Sequence, residues 1–139
     1  MSFAMGEIRW PKNGHDANVL LRGFMLKLLR KIDYEFSSGL QDPISFLEQY
    51  VSGDVTAQQC SELASRWRGE LVEEDSVRDF KSSRALQARL AESVLGIDEE
   101  NLEILADELS WFTELLQAGG QDFGVIGDMM CEYFGSYVE

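Results

Sequence analysis

Few side chains in this sequence have the chemistry for covalent catalysis. The thiols are Cys60 and Cys131, and the one histidine is His15. A cysteine nucleophile normally needs a histidine base, so His15 is the only candidate for either thiol. It stands beside Asn13-Gly14, a turn signal, which predicts an exposed loop. The two thiols match no metal-ligand or redox spacing. They are expected to be reduced and buried, because a free cysteine packs as a small hydrophobe. Gly119-Gly120 lacks the Lys-Ser/Thr pair of a phosphate loop, and Gly124-x-x-Gly127 has no strand before it. There is no Gly-x-Ser-x-Gly nucleophile elbow. A helical di-iron centre needs Glu-x-x-His on two helices, and one histidine does not supply two. The acidic run Asp98–Glu103 lacks the alternating ligands and central glycine of an EF-hand loop. A glycosidase-like carboxylate pair is not legible, since sequence spacing does not report spatial separation. The residue types point away from an enzyme and call for no cofactor and no metal.

The abundant chemistry is carboxylate. The chain holds 25 acids against 12 lysines and arginines, a formal charge of −13, and the imbalance is concentrated. Residues 1–40 carry six basic and four acidic side chains, residues 41–95 six and ten, and residues 96–139 none and eleven. The last basic residue is Arg89. A helix opened by Asp98 is expected to place Glu100, Glu103, Asp107 and Glu114 in one stripe, opposite Leu102, Leu105, Leu109, Phe112 and Leu116. Exposed helices normally mix signs to gain i,i+4 pairs, whereas like charges in one row repel. A solvated, solubilising face is one account of this row, and relief by a basic partner is the other. Trp111 and Tyr137 are expected as partly exposed aromatic anchors beside it. Phe123, Tyr133 and Phe134 fit core spacing, and Trp10 and Trp67 read as structural.

These residues need a scaffold, and 139 residues with 45% hydrophobic content suffice for one domain. The first 15 residues read as irregular or weakly extended, and residues 16–139 as a single α-helical domain. Asp16 is a candidate N-cap for a long central helix through Ala17, Leu20, Leu21, Phe24, Leu28, Ile32 and Phe36, ending at Ser37-Ser38-Gly39. Asp42-Pro43 opens a short second helix that stops at Gly53. Thr56 with Gln59 forms a capping box for a third, with Cys60, Leu63, Ala64, Trp67 and Leu71 on one face. Glu73-Glu74-Asp75 reads as a linker. A fourth helix, from about Ser76 or from Ser82, runs through Phe80, Leu86, Leu90 and Val94 to Gly96. The Asp98 helix closes at Gly119-Gly120, and Asp122–Tyr137 forms a last one containing glycines 124, 127 and 135. The fold expected is all-α, a bundle of about six helices joined by short loops.

The densest apolar stretch, Val19–Ile32, carries Arg22, Lys27, Arg30 and Lys31, so no membrane span is expected. The opening residues do not resemble a signal peptide, and a cytoplasmic location follows. A carboxylate row repels nucleic acid and anionic membrane but steers a basic protein. The expected function is therefore protein binding. In size and composition the chain is similar to bacterial immunity proteins that occlude a basic, nuclease-like toxin. A regulatory or scaffold helical module and a nucleic-acid-mimic inhibitor are the alternatives. Partner identity and oligomeric state are not legible.

Overall fold

A computed structural model describes residues 8–36, 41–74 and 83–137, apart from the side chains of 70–74 and 83–85. Among the described residues the chain forms six α-helices and no sheet. They are α1 (Gly14–Lys31), α2 (Pro43–Val51), α3 (Ala57–Glu74), α4 (Ser83–Leu95), α5 (Leu105–Ala118) and α6 (Phe123–Phe134). Single 3₁₀ turns precede α5 at Leu102–Ile104 and follow α6 at Gly135–Tyr137. No helix among the described residues is long and apolar enough to cross a membrane.

The caps explain most boundaries. Asn13, not Asp16, caps α1, its side chain accepting from the Asp16 amide at 3.0 Å. Asp16 instead sits in the first turn, where its charge faces the positive end of the helix dipole. Helix α1 stops at Lys31, short of the predicted Ser37–Gly39. Asp33 adopts φ 53°, and the amides of Asp33 and Tyr34 return to the carbonyls of Arg30 and Leu29. That is a Schellman stop, with aspartate in the place glycine usually takes. Phe36 leaves the helix and meets the ring of Trp67 edge-on at 5.6 Å. Ser37–Gly39 lie outside the described residues.

Asp42 caps α2 as expected, accepting from the Ile44 amide at 3.1 Å, with Pro43 in the first turn. Gly53 at φ 86° and Gly120 at φ 96° take the left-handed position after α2 and α5 and close each with the same paired bonds. The capping box of α3 is present in both directions: the Gln59 amide donates to Thr56 Oγ1 at 3.1 Å, and the Thr56 amide to Gln59 Oε1 at 2.8 Å. Glu73 and Glu74 belong to α3 rather than to a linker. Helix α4 is described from Ser83 onward, and the predicted starts at Ser76 or Ser82 and the contribution of Phe80 lie outside the described residues.

Helix α4 packs against α2, α3 and α5, while α1 packs against α2, α5 and α6. Small side chains at Ala64, Ala88 and Ala91, all buried, let α3 and α4 approach closely. Residues 8–13 are not loose. Ile8 is in the core, the Arg9 amide donates to the Tyr137 carbonyl at 2.7 Å, and Trp10 meets Phe134 edge-on at 5.7 Å.

Two glycines make opposite predictions. A Cβ on Gly14 would lie 1.9 Å from the carbonyl oxygen of Glu99, whereas one on Gly69 meets nothing within 4 Å. Gly69→Ala should raise stability by about 0.5–1 kcal/mol through helix propensity. Gly14→Ala should lower it by about 1–2 kcal/mol, since overpacking against backbone outweighs propensity. Urea midpoints of the two variants check this, and equal shifts would contradict the packing of α1 on the Glu99 loop.

Candidate protein-interaction surface

The acidic third is built on α5 and the turns before it. Asp98 does not cap a helix: its Oδ1 accepts from the Glu100 amide at 2.9 Å, and Asn101 Oδ1 then accepts from the Glu103 amide at 3.1 Å. Two successive side-chain turns satisfy backbone donors locally, and such turns compete with helix. The helix therefore waits until Leu105. Of the predicted row, only Asp107 and Glu114 are on α5; Glu100 lies in the preceding turn and Glu103 in the 3₁₀ turn. All four are exposed. None makes an ion pair through its carboxylate among the described residues.

On α5 the spacing 107, 111, 114 is i, i+4, i+7, one helix face. Trp111, 38% exposed, thus stands between two unpaired carboxylates. Opposite it, Leu105, Leu109, Phe112, Leu115 and Leu116 are buried. Trp111 also lines a cleft of about 240 Å³ with Arg68, Arg89, Glu92, Ser93, Gly96 and Glu108. Tyr137, 37% exposed, lines a different cleft with Pro11, Val19, Leu20, Val51 and Tyr133. The six predicted contact residues thus fall into two groups. Phe123, expected in the core, is 58% exposed, and Val125 39%. The core positions of α6 are Ile126, Met130 and Phe134.

Composition and periodicity missed a polar network that holds the loop leading into this surface. Arg22, on the apolar face of α1, is fully buried. Its Nη2 donates to the Ile97 carbonyl at 2.8 Å and its Nε to Asn18 Oδ1 at 3.3 Å. The guanidinium lies 4.3 Å over the Tyr50 ring. The Tyr50 hydroxyl donates to Glu99 Oε2, and His15 Nδ1 stands 2.9 Å from the same oxygen. His15 is exposed, as expected, but it is a first-turn residue of α1 with two partners, Glu99 and Tyr50, and not a loop residue. Only the basic residue inside an apolar stripe, Arg22, signalled the network in advance.

Burial pushes the Glu99 carboxyl up, but hydrogen bonds from Tyr50 and His15 and the charges of His15 and Arg22 outweigh it and hold the carboxyl below its ordinary range. Burial and the bond to Glu99 push the Tyr50 phenol up. Burial likewise raises the Cys60 thiol, against the pull of Arg22, which lowers its thiolate fraction. Cys131 is half-buried rather than buried.

A pH dependence follows. Glu99 titrates lower in the folded than in the unfolded chain, so its contribution is fully present above the unfolded value, about 4.3. It is lost as pH falls through the lower folded value. Glu99→Gln should flatten the acid limb of a stability–pH curve between neutral pH and pH 3. A wild-type limb unchanged by the substitution would contradict this assignment.

Among the described residues no group of three or more His, Cys, Asp or Glu side chains is placed to hold a metal ion. No protein-family model, curated protein or solved structure matches the chain.

Proposed function

We propose that this protein acts by binding and blocking a basic protein. Most concretely, it is an immunity protein that occludes a nuclease-like toxin, whose lysines and arginines would otherwise hold phosphate. The observation that carries the reading is the carboxylate set Glu100, Glu103, Asp107 and Glu114, exposed and without an ion pair among the described residues. It lies in a stretch of 44 residues that has no lysine or arginine. Trp111 supplies an anchor in the midst of these charges, the residue type most enriched at binding hot spots. The leucines and the phenylalanine of α5 are committed to the core, so the large groups that this face offers a partner are charges and one indole.

The test is affinity capture from the source cell followed by binding kinetics on whatever basic protein is enriched. Affinity should fall steeply between 0.1 and 1 M salt, mainly through association rate. Co-expression should abolish the activity of the captured protein if it is a toxin. Capture of a neutral or acidic partner with salt-insensitive affinity would reject the reading.

A second reading, a helical regulatory or scaffold module, is favoured by the exposed Phe123 and Val125 at the start of α6. It predicts association through α6 that is lost in Phe123→Ser and indifferent to salt.

A further inference from the structure

The carboxylates of the acidic row point to a basic partner but not to how any one of its side chains is read. The cleft between α3, α4 and α5 carries that information. Its walls are Arg68, Arg89, Glu92, Ser93, Glu108 and Trp111. The charges there are not equivalent. Arg68 is tied to Glu92, with its Nη2 at 2.9 Å and its Nε at 3.0 Å from the same Oε1. Glu108, by contrast, is half-buried and makes no hydrogen bond or ion pair among the described residues. Burial pushes its carboxyl up, and so do the charges of Asp107 and Glu92, while Arg22 pulls it down. Ser93, 5% exposed, lines the same cleft, and its Oγ has no hydrogen-bond partner among the described residues. Beside both stands the half-open indole of Trp111.

A carboxylate and a hydroxyl without partners among the described residues, with an indole in the same cleft, together suit a cationic side chain. We propose that the cleft is the pocket for one arginine of the basic partner, its guanidinium stacked on Trp111 and paired with Glu108. This rests on the proposed binding of a basic protein. Arginine fits better than lysine for two reasons. Its planar, weakly hydrated fork stacks on indole and pairs with a carboxylate through two parallel bonds. Its charge is also spread over the fork, whereas an ammonium is a compact point charge that holds its water more strongly.

Two hexapeptide amides of equal charge, six arginines and six lysines, separate this pocket from the acidic row. Titration calorimetry at low salt should find the arginine peptide bound about tenfold more tightly. Glu108→Gln and Trp111→Leu should each reduce that preference to less than twofold. Lysine at positions 100, 103, 107 and 114 should weaken both peptides to a similar degree. Glu108→Gln keeps the side chain's shape and removes a half-buried charge, so it should fold, and its melting curve verifies this if Trp111→Leu does not. Equal affinity for the two peptides, or a preference that survives Glu108→Gln, would overturn the pocket. If the four-site variant still weakened both peptides, the acidic face would stand without it. Binding of neither peptide to the wild-type protein would overturn both.

Discussion

Replacing Arg22 with alanine is expected to lower the free energy of unfolding by about 3–5 kcal/mol, a large share of the roughly 5–15 kcal/mol of a typical domain. Three losses combine. The Ile97 carbonyl and Asn18 Oδ1 lose their donors in a site without exposure, and an acceptor stranded in the interior costs about 1–3 kcal/mol. The Tyr50 ring loses the cation stacked on it at 4.3 Å. A cavity replaces the side-chain stem, where α1 faces α2 and the Ile97–Glu99 loop. Arg22→Met, which refills the cavity but restores no donor, should recover part of the loss. The gap between the two variants then separates packing from hydrogen bonding. Chemical denaturation at pH 7 measures both. A cost below about 1 kcal/mol for Arg22→Ala would show that the network is relaxed by water and is not what pins the loop. The alanine variant should also lose some of the Glu99 effect on the acid limb, because Arg22 is one of the charges holding that carboxyl down.

Reversal of Glu100, Glu103, Asp107 and Glu114 to lysine should slow association with a basic partner about a hundredfold at low salt, within the usual range of electrostatic steering. Trp111→Ala should act differently. As the proposed aromatic anchor it should cost about 2 kcal/mol or more, expressed in dissociation rate. Raising salt should reproduce the reversal in the wild-type protein, because the Debye length falls from about 10 Å at 0.1 M to about 3 Å at 1 M. The unbound protein should respond in the opposite sense and gain stability with moderate salt, as repulsion within its acidic third is screened. Glu62→Lys is the control for net charge. Glu48→Lys is a poorer control, because Glu48 pairs with Arg30 and its reversal breaks a contact. A partner whose association rate ignores both the reversal and salt would leave the row as solvated surface, and the α6 apolar patch would become the candidate face.

Helical periodicity and local capping chemistry placed the elements, because caps such as Asp42-Pro43, Thr56 with Gln59, and Gly119-Gly120 are closed by bonds within a few residues. Local signals failed where two of them competed. Asp98 and Asn101 both suit a helix start, and only the chain's path, with Glu99 held against Gly14, His15 and Tyr50, decided that each would form a turn and that α5 would begin at Leu105. The charge imbalance of residues 96–139 is wholly a property of sequence, since any fold of this chain carries it. Which carboxylates lack a counter-ion is not, because that depends on which side chains from distant segments arrive nearby. Arg68 and Glu92, 24 residues apart, found each other across α3 and α4. Glu108, one residue from the predicted Asp107, turned inward to the cleft and found no counter-ion among the described residues. His15 likewise acquired partners 35 and 84 residues away and Arg22 one 75 residues away, where no periodicity reaches. Sequence determined the helices and the sign of the field; tertiary packing, by choosing who meets whom, decided which charges remain for a partner.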